Sequence, residues 1–444
     1  MFRYHRRGDH REMMELIREL YLKNRSLVTG DYQESLRHID TNEIPLEYHR
    51  FPSGDVVWNS WIVPQRWDVQ EAYVEIDDER IIDFHDHPLH LPSYCPPFEG
   101  LVDRDELIDH CITHQQDPDA IPFHFRYGYR PWDRDWGFCV SQSTVDSLNE
   151  GEYHVHIDTK FVDDELIVAE HHVDGRLDDT VVLVAHLDHP GMANDDLAGV
   201  SVGCEIMRKI HNFDSLRYSY KFLIVPEIIG SVAYLEKFPT EVERMMYGMF
   251  LEMPGNDNRL LLQNSFEADS QIDSAAKKAL ELHPEPFEID TFRSQVGNDE
   301  LVFEAPGVEV PMISISRFPY DEYHTHFDSP RIIHEENLES YVNLIINIIS
   351  IIETDVQPQR KFDGLPALSH PKYDLYIDVS QVLNQQDRSN LTADVSDFQN
   401  RILRELDGST SALNISEKYE LPFDFVLEYL EKLEEKDLIK TVIP

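Results

Sequence analysis

Basic residues, cysteines and long apolar runs are all scarce in this sequence. The chain has 39 Lys and Arg against 84 Asp and Glu, which gives a formal net charge of −45 at pH 7. A chain of that charge repels nucleic acids and anionic membranes, so neither is an expected partner. No apolar run is long enough to span a membrane, and the basic, amphipathic N-terminus lacks the apolar core of a signal peptide. These absences predict an acidic, soluble, cytoplasmic protein.

The few cysteines and the length of the chain narrow its class further. Cys95, Cys111, Cys139 and Cys204 are scattered and include no CxxC pair, so a reduced compartment is the simpler interpretation. The 444 residues exceed the size of one ordinary core, which predicts two or three domains. With 41% hydrophobic residues, the chain has enough apolar surface to form them.

Composition changes along the chain and predicts a discontinuous arrangement of domains. All five tryptophans precede residue 140, in a stretch with short alternating runs such as DVVWNSWIV, which is typical of a β-rich module with a tryptophan core. From about residue 152, continuous apolar runs alternate with helical patterns, which is typical of an α/β domain whose sheet is covered on both faces. The predicted domains are an α/β domain at 1–45 and 146–356, an inserted β-rich domain at 46–145, a linker at 357–373 and a winged-helix-like domain at 374–444.

The C-terminal module has three helical patterns followed by a short β tail, which is the layout of a winged helix. From residue 396 to residue 444 it contains eleven acids and six bases, a net charge of −5. A winged helix that reads DNA needs a basic face. The acidic charge therefore favours packing or dimerisation, with a second copy of the chain as an expected partner.

The most informative segment is VVLVAHLDHPGMANDDLAGVSVGCEIM. A predicted buried strand at 181–185 is followed at once by His186, Asp188 and His189, and a glycine turn then leads to Asp195 at the start of a predicted helix. Sites in open α/β sheets form at the carboxyl ends of strands. Histidine with carboxylate is also a ligand set of hydrolytic zinc. The alternative is an ordinary helix N-cap with histidines on the surface.

Three later strands also end in residues that can bind a metal. Glu227 follows the apolar run at 222–225, and Glu252 follows the run at 249–251. The run at 312–315 is followed by His324, His326 and Asp328, which we expect in one loop. Each of these residues alone is weak evidence. Four successive strands with such ends predict a common site at one edge of the sheet.

These residues carry a resemblance to a known superfamily. AHLDHP, the ANDDLAG turn, a glutamate after the next strand, LEM after the third and YHTHFD after the fourth resemble, in order and spacing, the zinc aminopeptidase superfamily, which includes bacterial leucyl aminopeptidases and glutaminyl cyclases. Segments such as FPSGDVVWNSWIVPQRW, DAIPFHFRYGYRPWDRDWGFC and VPEIIGSVAYL are similar to aminopeptidase-like proteins with an inserted β-rich domain and a C-terminal winged helix. The resemblance implies an α/β/α sandwich with a mixed, mostly parallel sheet.

The resemblance also implies a role for each matching residue. Four residues match zinc ligands: His186, the bridging Asp195, Glu252 and His324. Asp188 matches the carboxylate that supports the first histidine. Glu227 matches the general base, which takes a proton from metal-bound water and returns it to the leaving amine.

One position departs from the pattern of the superfamily. Where dinuclear aminopeptidases have a second glutamate as a ligand, this chain has Ile228, which cannot bind zinc. Typical hydrolytic zinc sites use three protein ligands. Either a neighbour replaces the glutamate, with His189, His326 and Asp328 as the candidates, or the enzyme uses one zinc ion instead of two.

Residues that contact substrate are predicted more loosely. Asp299 lies in the loop SQVGNDELVF, where relatives hold an acid that faces the amino group of the substrate. Arg317 can pair with a carboxylate through both guanidinium nitrogens. Arg126 and Tyr127, in the aromatic segment FHFRYGY, can reach the site from the inserted domain. For each of these residues, a role in packing or at the surface is the alternative.

The leading functional hypothesis is a zinc-dependent hydrolase of the aminopeptidase type, which cleaves an N-terminal residue or a small amide. The first alternative is acyl transfer of the glutaminyl cyclase type on the same scaffold, which Ile228 favours. The second is a non-catalytic protein that binds a partner. Retention of both a base at Glu227 and a ligand set argues against the last, because a binding module needs no base beside a metal.

Overall fold

The computed structural model describes residues 10–377 and 389–443 of the chain. Those parts of the predicted domains 1–45 and 374–444 that fall at 1–9, 378–388 and 444 lie outside the described residues. The chain divides into two units, the first comprising Met1–Ser270 and His283–Ile346 and the second Gln271–Leu282 and Asn347–Pro444. The domain boundaries predicted above remain predictions.

The strands are numbered in chain order. They are β1 (Glu47–Pro52), β2 (Val56–Val57), β3 (Trp61–Ile62), β4 (Arg66–Ile76), β5 (Glu79–Asp83), β6 (Phe98–Asp103), β7 (Cys111–Ile112), β8 (Phe138–Cys139), β9 (Glu152–Val162), β10 (Glu165–Val173), β11 (Thr180–His186), β12 (Ser219–Val225), β13 (Met245–Leu251), β14 (Leu260–Gln263), β15 (Phe287–Asp290), β16 (Met312–Ser316), β17 (Gln357–Arg360) and β18 (Ile439–Val442).

The helices are numbered in the same way. They are α1 (His10–Leu20), α2 (Gly30–Ile39), α3 (Arg104–Asp109), α4 (Arg126–Tyr129), α5 (Gln142–Ser147), α6 (Gly199–His211), α7 (Ile229–Lys237), α8 (Pro239–Val242), α9 (Gln271–Glu281), α10 (Glu300–Phe303), α11 (Glu335–Thr354), α12 (Ser389–Glu405), α13 (Ala412–Lys418) and α14 (Phe423–Glu435).

The first unit is built on an eight-stranded sheet with the order β1-β10-β12-β11-β13-β16-β14-β15. Its four central strands, β12, β11, β13 and β16, run parallel. Strand β10 pairs antiparallel with β1 and β12, and β14 pairs antiparallel with β16 and parallel with β15. In register, His186 at the end of β11 lies opposite Val225 at the end of β12, and Leu251 at the end of β13 lies opposite Ile315. The predicted α/β fold with a mixed, mostly parallel sheet is confirmed.

The central strands form where the sequence predicts them because their residues are apolar on both faces. Every residue of β11, β12 and β16 is buried. Such continuous burial requires cover on both sides of the sheet, and helix α6, which is almost wholly buried, supplies part of it. The parallel arrangement brings the carboxyl ends of the four strands to one edge.

A second sheet of four antiparallel strands, in the order β5-β4-β9-β6, lies in the same unit. Strand β1 falls within the predicted insertion 46–145 but pairs in the large sheet, whereas β9 lies beyond residue 145 and pairs in this smaller one. The tryptophans are unequally buried: Trp67 is 1% exposed and stacks on Tyr94, while Trp132 is 72% exposed. The tryptophans therefore contribute only in part to the core.

The second unit contains helices α9, α12, α13 and α14 and a two-stranded sheet of β17 and β18. Strand β17 occupies the start of the stretch that the sequence analysis interprets as a linker. It forms there because its backbone pairs with β18, a partner that is remote in sequence and therefore invisible to a local pattern. Three helices followed by a strand match the predicted order of elements, and the winged helix remains a prediction. In the residues that the structure describes, no helix combines the length and apolarity needed to cross a membrane.

Candidate metal centre

The edge of the large sheet brings three of the four predicted metal ligands, together with His189, into contact around the carboxylate of Asp195. Oδ1 of Asp195 lies 2.8 Å from Nε2 of His186, and Oδ2 of Asp195 lies 3.1 Å from Nδ1 of His189 and 3.1 Å from Nε2 of His324. His186, His189 and Asp195 are almost completely buried, and the His324 side chain is 25% exposed. We call these four residues the histidine cluster.

The histidine cluster has polar atoms that its own residues do not satisfy. Among the described residues, four of its buried atoms have no hydrogen-bond partner: Nδ1 of His186, Nδ1 of His189, Nε2 of His324 and Oδ2 of Asp195. The last three are in ion-pair contact, since each of the two nitrogens lies 3.1 Å from Oδ2 of Asp195. One ligand atom each from His186, His189 and Asp195 lies within 4.8 Å of the others. Imidazole nitrogens that converge on a carboxylate oxygen without a well-formed hydrogen bond fit a metal such as zinc.

The charges around the histidine cluster also fit a cation. Burial lowers the pKa of His186, and so does His189, but the hydrogen bond and the charge of Asp195 outweigh both effects and raise the pKa to about 10. Burial likewise lowers the pKa of His189, but the charge of Asp195 raises it well above its ordinary value. The carboxylates therefore hold protons on buried imidazoles. A divalent cation would replace that positive charge.

The loop that carries Asp195 is held by a second carboxylate. The side chain of Asp328 accepts hydrogen bonds from the backbone N–H groups of Ala193, Asn194 and Asp195 at 3.1, 2.6 and 3.0 Å. It also accepts a bond of 2.9 Å from the hydroxyl of Tyr320. Asp328, one of the three candidates to replace the missing glutamate, is thus occupied with fixing the backbone.

The structure distinguishes the other two candidates as well. Nδ1 of His326 accepts a hydrogen bond of 3.0 Å from the backbone N–H of Ile121, which turns it to a neighbouring loop. His189 contacts Asp195 through one ring nitrogen and lies 3.2 Å from Oε2 of Glu227 through the other. Of the three candidates, His189 is therefore the one whose ring contacts the carboxylate of Asp195.

Asp188 has a different partner from the expected one. Its Oδ1 accepts a hydrogen bond of 2.7 Å from the backbone N–H of Glu227, while Nδ1 of His186 has no hydrogen-bond partner among the described residues. Burial raises the pKa of Asp188. The carboxylate thus supports the backbone of Glu227 rather than the ring of His186. Two residues of separation placed Asp188 near His186 without deciding which donor it meets.

Glu252, the fourth predicted ligand, is engaged elsewhere. Its side chain is fully buried, its Oε2 accepts a bond of 2.7 Å from the hydroxyl of Ser314, and its Oε1 accepts from the side-chain amide of Asn298. In the described part of the chain it forms no ion pair with a histidine. Burial and the charge of Glu300 raise its pKa well above the ordinary value, which favours the neutral acid.

The four predicted substrate contacts differ in position. Asp299 is fully buried beside Glu227, since its Oδ1 accepts a bond of 2.9 Å from the N–H of Ile228, and burial raises its pKa to about 7. Arg317 is 2% exposed and binds the carbonyls of Pro254 and Asn258 at 2.9 and 2.8 Å and Glu285 at 2.6 Å. Its guanidinium is therefore already bound by two backbone carbonyls and one carboxylate.

The last two predicted contacts lie in α4. Arg126 is exposed, and the ring of Tyr127 packs edge-on to His124, with centroids 4.7 Å apart. The same segment contains residues that sequence reasoning missed. The hydroxyl of Tyr129 donates a hydrogen bond of 2.9 Å to the carbonyl of Glu227. The ring of Phe123 lies 5.0 Å from that of His189.

A buried arginine was also missed. Arg25 is 0% exposed, and its guanidinium donates to the carbonyls of Leu187, His189 and Met192, the last two at 2.5 and 3.0 Å. It therefore holds the loop between β11 and Asp195 from inside the protein. A single arginine in the segment NRSLVTG has no pattern that would reveal burial.

A small pocket with a cavity volume of about 10 Å³, which is space for roughly one water molecule, adjoins Glu227 and His189. Its walls include the rings of Phe123, Phe125 and Tyr129. None of the described residues that line it is lysine or arginine. The pocket thus combines aromatic walls with carboxylates.

The fold of this chain is that of a zinc aminopeptidase. It is shared with BSAP, a zinc aminopeptidase from Bacillus subtilis. That structure aligns with a TM-score of 0.57 and 14% sequence identity, over 78% of this chain and 96% of its own. At that identity the similarity establishes the fold.

The chain belongs to the family described as "Domain of unknown function (DUF4910)", which matches residues 14–355. A "Putative polysaccharide biosynthesis protein with aminopeptidase-like domain" from Clostridium acetobutylicum is 31% identical over 349 residues, 78% of each chain. The crystal structure of a "putative peptidase" from Clostridium acetobutylicum aligns with a TM-score of 0.83 and 27% identity, over 98% of this chain and 96% of that chain. The relatives are thus peptidase-like proteins, as the sequence resemblance implies.

Proposed function

We propose that the protein is a zinc-dependent hydrolase of the aminopeptidase type, which removes an N-terminal residue or cleaves a small amide. The observation that carries the proposal is the convergence of His186, His189 and His324 on the two oxygens of Asp195, with Glu227 beside them. A purely structural cluster would satisfy its own buried atoms. In this cluster, four buried atoms have no hydrogen-bond partner among the described residues.

The histidine cluster would hold the metal. His189 and His324 face one oxygen of Asp195 and His186 faces the other, so that both oxygens of the carboxylate have imidazole neighbours. His189 would replace the glutamate that is absent at position 228, and His189, His324 and Asp195 would then supply three protein ligands, the usual number for hydrolytic zinc. When bound, zinc supplies Lewis acidity and lowers the pKa of a water molecule to about 7.

Glu227 is the proposed general base. Burial raises the pKa of its carboxyl, but the hydrogen bond from His189 outweighs burial and lowers it, so the group is ionised at neutral pH. An ionised carboxylate at the mouth of the site can accept a proton from the attacking water and deliver it to the leaving amine. The interaction of Oε2 with the ring of His189, at 3.2 Å, aims the carboxylate at the histidine cluster.

The pocket beside Glu227 supports an uncharged or cationic group at that end of the substrate. Its lining contains the carboxylates of Glu227 and Asp188 and the rings of two phenylalanines and two tyrosines. A free amino group fits this environment, because carboxylates and aromatic faces both attract cations. A substrate carboxylate has no such partner in the described lining.

The decisive experiment compares wild-type protein with Glu227→Gln. We expect purified wild-type protein to contain at least one zinc ion per chain, and to hydrolyse at least one member of a panel of aminoacyl chromogenic amides in a chelator-sensitive way. Glu227→Gln should reduce kcat by about 100- to 10,000-fold, since that is the usual contribution of a general base, and leave the zinc content unchanged. Retained turnover in the variant would contradict the role of Glu227.

A second candidate is acyl transfer of the cyclisation type on the same scaffold, which the aliphatic Ile228 in place of a second glutamate favours. Incubation with glutaminyl peptides, followed by mass spectrometry, separates the two: cyclisation releases ammonia, whereas hydrolysis adds water and divides the peptide. Absence of metal, hydrolysis and cyclisation would leave a binding role instead.

A further inference from the structure

The chain passes Glu227 through an unusual turn. Ile228 has φ 59° and ψ −63°, and the N–H of Ile229 donates a hydrogen bond of 2.6 Å to the carbonyl of Glu227. These angles and this bond define the rarer and more strained form of the γ-turn. A β-branched residue at positive φ persists only where its surroundings hold it.

Three side chains hold the backbone around this turn. Asp188 accepts the N–H of Glu227 at 2.7 Å, Asp299 accepts the N–H of Ile228 at 2.9 Å, and Tyr129 donates to the carbonyl of Glu227 at 2.9 Å. The peptide groups on both sides of the Glu227 Cα are therefore bound. Since the direction of the Cα–Cβ bond follows from those two peptides, the three contacts together aim the carboxylate.

Tyr129 differs from the two aspartates in its origin. The aspartates lie in loops of the large sheet, whereas Tyr129 ends α4, between β7 and β8. Its ring packs edge-on against Phe125 and Trp61, with centroids 6.3 and 6.5 Å away. These rings fix the position of the hydroxyl, so the bond to Glu227 does not depend on a mobile side chain.

The segment that carries Tyr129 is also bound to the other side of the site. The N–H of Phe123 donates to the carbonyl of His324 at 2.9 Å, and the N–H of His326 donates to the carbonyl of Ile121 at 3.1 Å. The ring of Phe123 contacts that of His324 edge-on, with centroids 5.4 Å apart. One continuous segment thus contacts both the turn of the base and the loop of the last histidine.

We propose that Tyr129 is a positioning residue of the active site, which holds the strained turn at Ile228 and so sets the direction of the Glu227 carboxylate. The inference rests on the proposed function, because it concerns the base of that reaction. The inference also assigns segment 121–129 a role in positioning the catalytic groups, in addition to its contacts with the loop of His324.

The test is Tyr129→Phe, which removes the hydroxyl and keeps the ring. We expect kcat to fall by about 10- to 100-fold, since a displacement of about 1 Å at a reacting group has that effect, while KM and zinc content stay unchanged. The assay uses the chromogenic aminoacyl amide that the wild-type protein hydrolyses fastest. The matched control is Tyr153→Phe in β9. It removes a hydroxyl that donates a hydrogen bond of 2.8 Å to the carbonyl of Asn149. That control should retain full kcat.

The outcomes separate this inference from the proposed function. If the wild-type protein hydrolyses the amide and Tyr129→Phe is equally active, the inference is wrong and the proposed function stands. If Tyr129→Phe loses zinc or raises KM as much as it lowers kcat, the hydroxyl is structural and the inference is again wrong. A wild-type protein without zinc and without hydrolysis overturns both. A fall in kcat alone, absent from Tyr153→Phe, supports positioning.

Discussion

Two clusters of buried ionisable residues lie in the first unit, and they differ in how their atoms are satisfied. The ion-pair cluster consists of His49, Glu170, Lys221 and Tyr234. One oxygen of Glu170 lies 2.9 Å from Nζ of Lys221, and the other lies 2.9 Å from Nε2 of His49 and accepts a bond of 2.7 Å from Tyr234. Lys221 also donates to the hydroxyl of Tyr234 at 2.8 Å. Every member has partners within the ion-pair cluster, whereas four atoms of the histidine cluster have no hydrogen-bond partner among the described residues.

The titration behaviour follows the same division. Burial raises the pKa of Glu170, but the hydrogen bond from His49 and the charge of Lys221 outweigh burial and lower it to about 2. Near the histidine cluster, burial raises the pKa of Asp299 to about 7, with other carboxylates as neighbours. Lys221 and His49 balance the carboxylate of Glu170, whereas Asp299 has the carboxylates of Glu227 and Asp188 as neighbours. The comparison indicates that the ion-pair cluster, whose polar atoms bind one another, stabilises the fold, whereas the histidine cluster has atoms that can bind a ligand.

The largest expected effect on folding is that of Glu170→Gln. Removal of one partner from a buried pair leaves Lys221 less well compensated, so we expect the free energy of unfolding at pH 7 to fall by about 3 kcal/mol. The stabilisation by Glu170 is present above its ordinary pKa of 4.5 and is lost as the pH falls toward about 2. Denaturant titrations from pH 7 to pH 3 should therefore show the difference between variant and wild type shrinking. The zinc content of the variant should not change. A loss of zinc would contradict the conclusion that the two clusters have separate roles.

The next effect is that of Asp195→Asn in the histidine cluster. We expect zinc affinity to fall by about 100-fold, equivalent to about 2.7 kcal/mol, because residues that only support a ligand already contribute about 10- to 100-fold. The unfolding free energy of the metal-free protein should change less than in Glu170→Gln, since imidazoles that lose their acidic partner can release their protons near pH 7, whereas the ammonium group of Lys221 holds its proton more strongly. Chelator competition and denaturant titration of the metal-free protein measure the two quantities. A large loss of stability with unchanged zinc affinity would reverse the comparison.

The smallest effect is expected outside both clusters, at Glu34→Gln. Nζ of Lys23 lies 3.0 Å from Oε2 of Glu34, and the Glu34 side chain is 61% exposed. Exposed pairs contribute at most about 1 kcal/mol, and removing one acid from a chain with a net charge of −45 relieves repulsion. We expect the unfolding free energy to change by less than about 1 kcal/mol, with zinc content unchanged. A change as large as that of Glu170→Gln would mean that burial is not what separates these pairs.

Sequence reasoning located the parts of the site that follow strand ends. His186, Asp195, Glu227 and His324 were predicted because parallel strands bring their carboxyl ends to one edge. Glu252 follows a strand in the same way, but its carboxylate turns to Ser314 and Asn298. The position of a residue after a strand predicts which edge it reaches, and it does not predict the direction of the side chain.

The residues that sequence reasoning missed all act through contacts that are remote along the chain. Tyr129 meets Glu227 across 98 residues, and Arg25 meets the carbonyl of His189 across 164. Neither residue lies in a periodic pattern or beside another candidate ligand. Their roles depend on a tyrosine at the end of a short helix and on a buried arginine that donates to backbone carbonyls, and both residues look ordinary in the sequence.

The sequence by itself determined the fold class and the edge of the sheet where the site lies, because runs of apolar residues form the central strands and their polar ends must share one side. It also determined the pool of candidate ligands. Only the tertiary structure decided that His189, and not His326 or Asp328, joins Asp195, and that Asp188 and Tyr129 hold the backbone of Glu227. The physical reason is that local spacing sets positions along the chain, whereas hydrogen-bond distances between loops depend on how the whole unit packs.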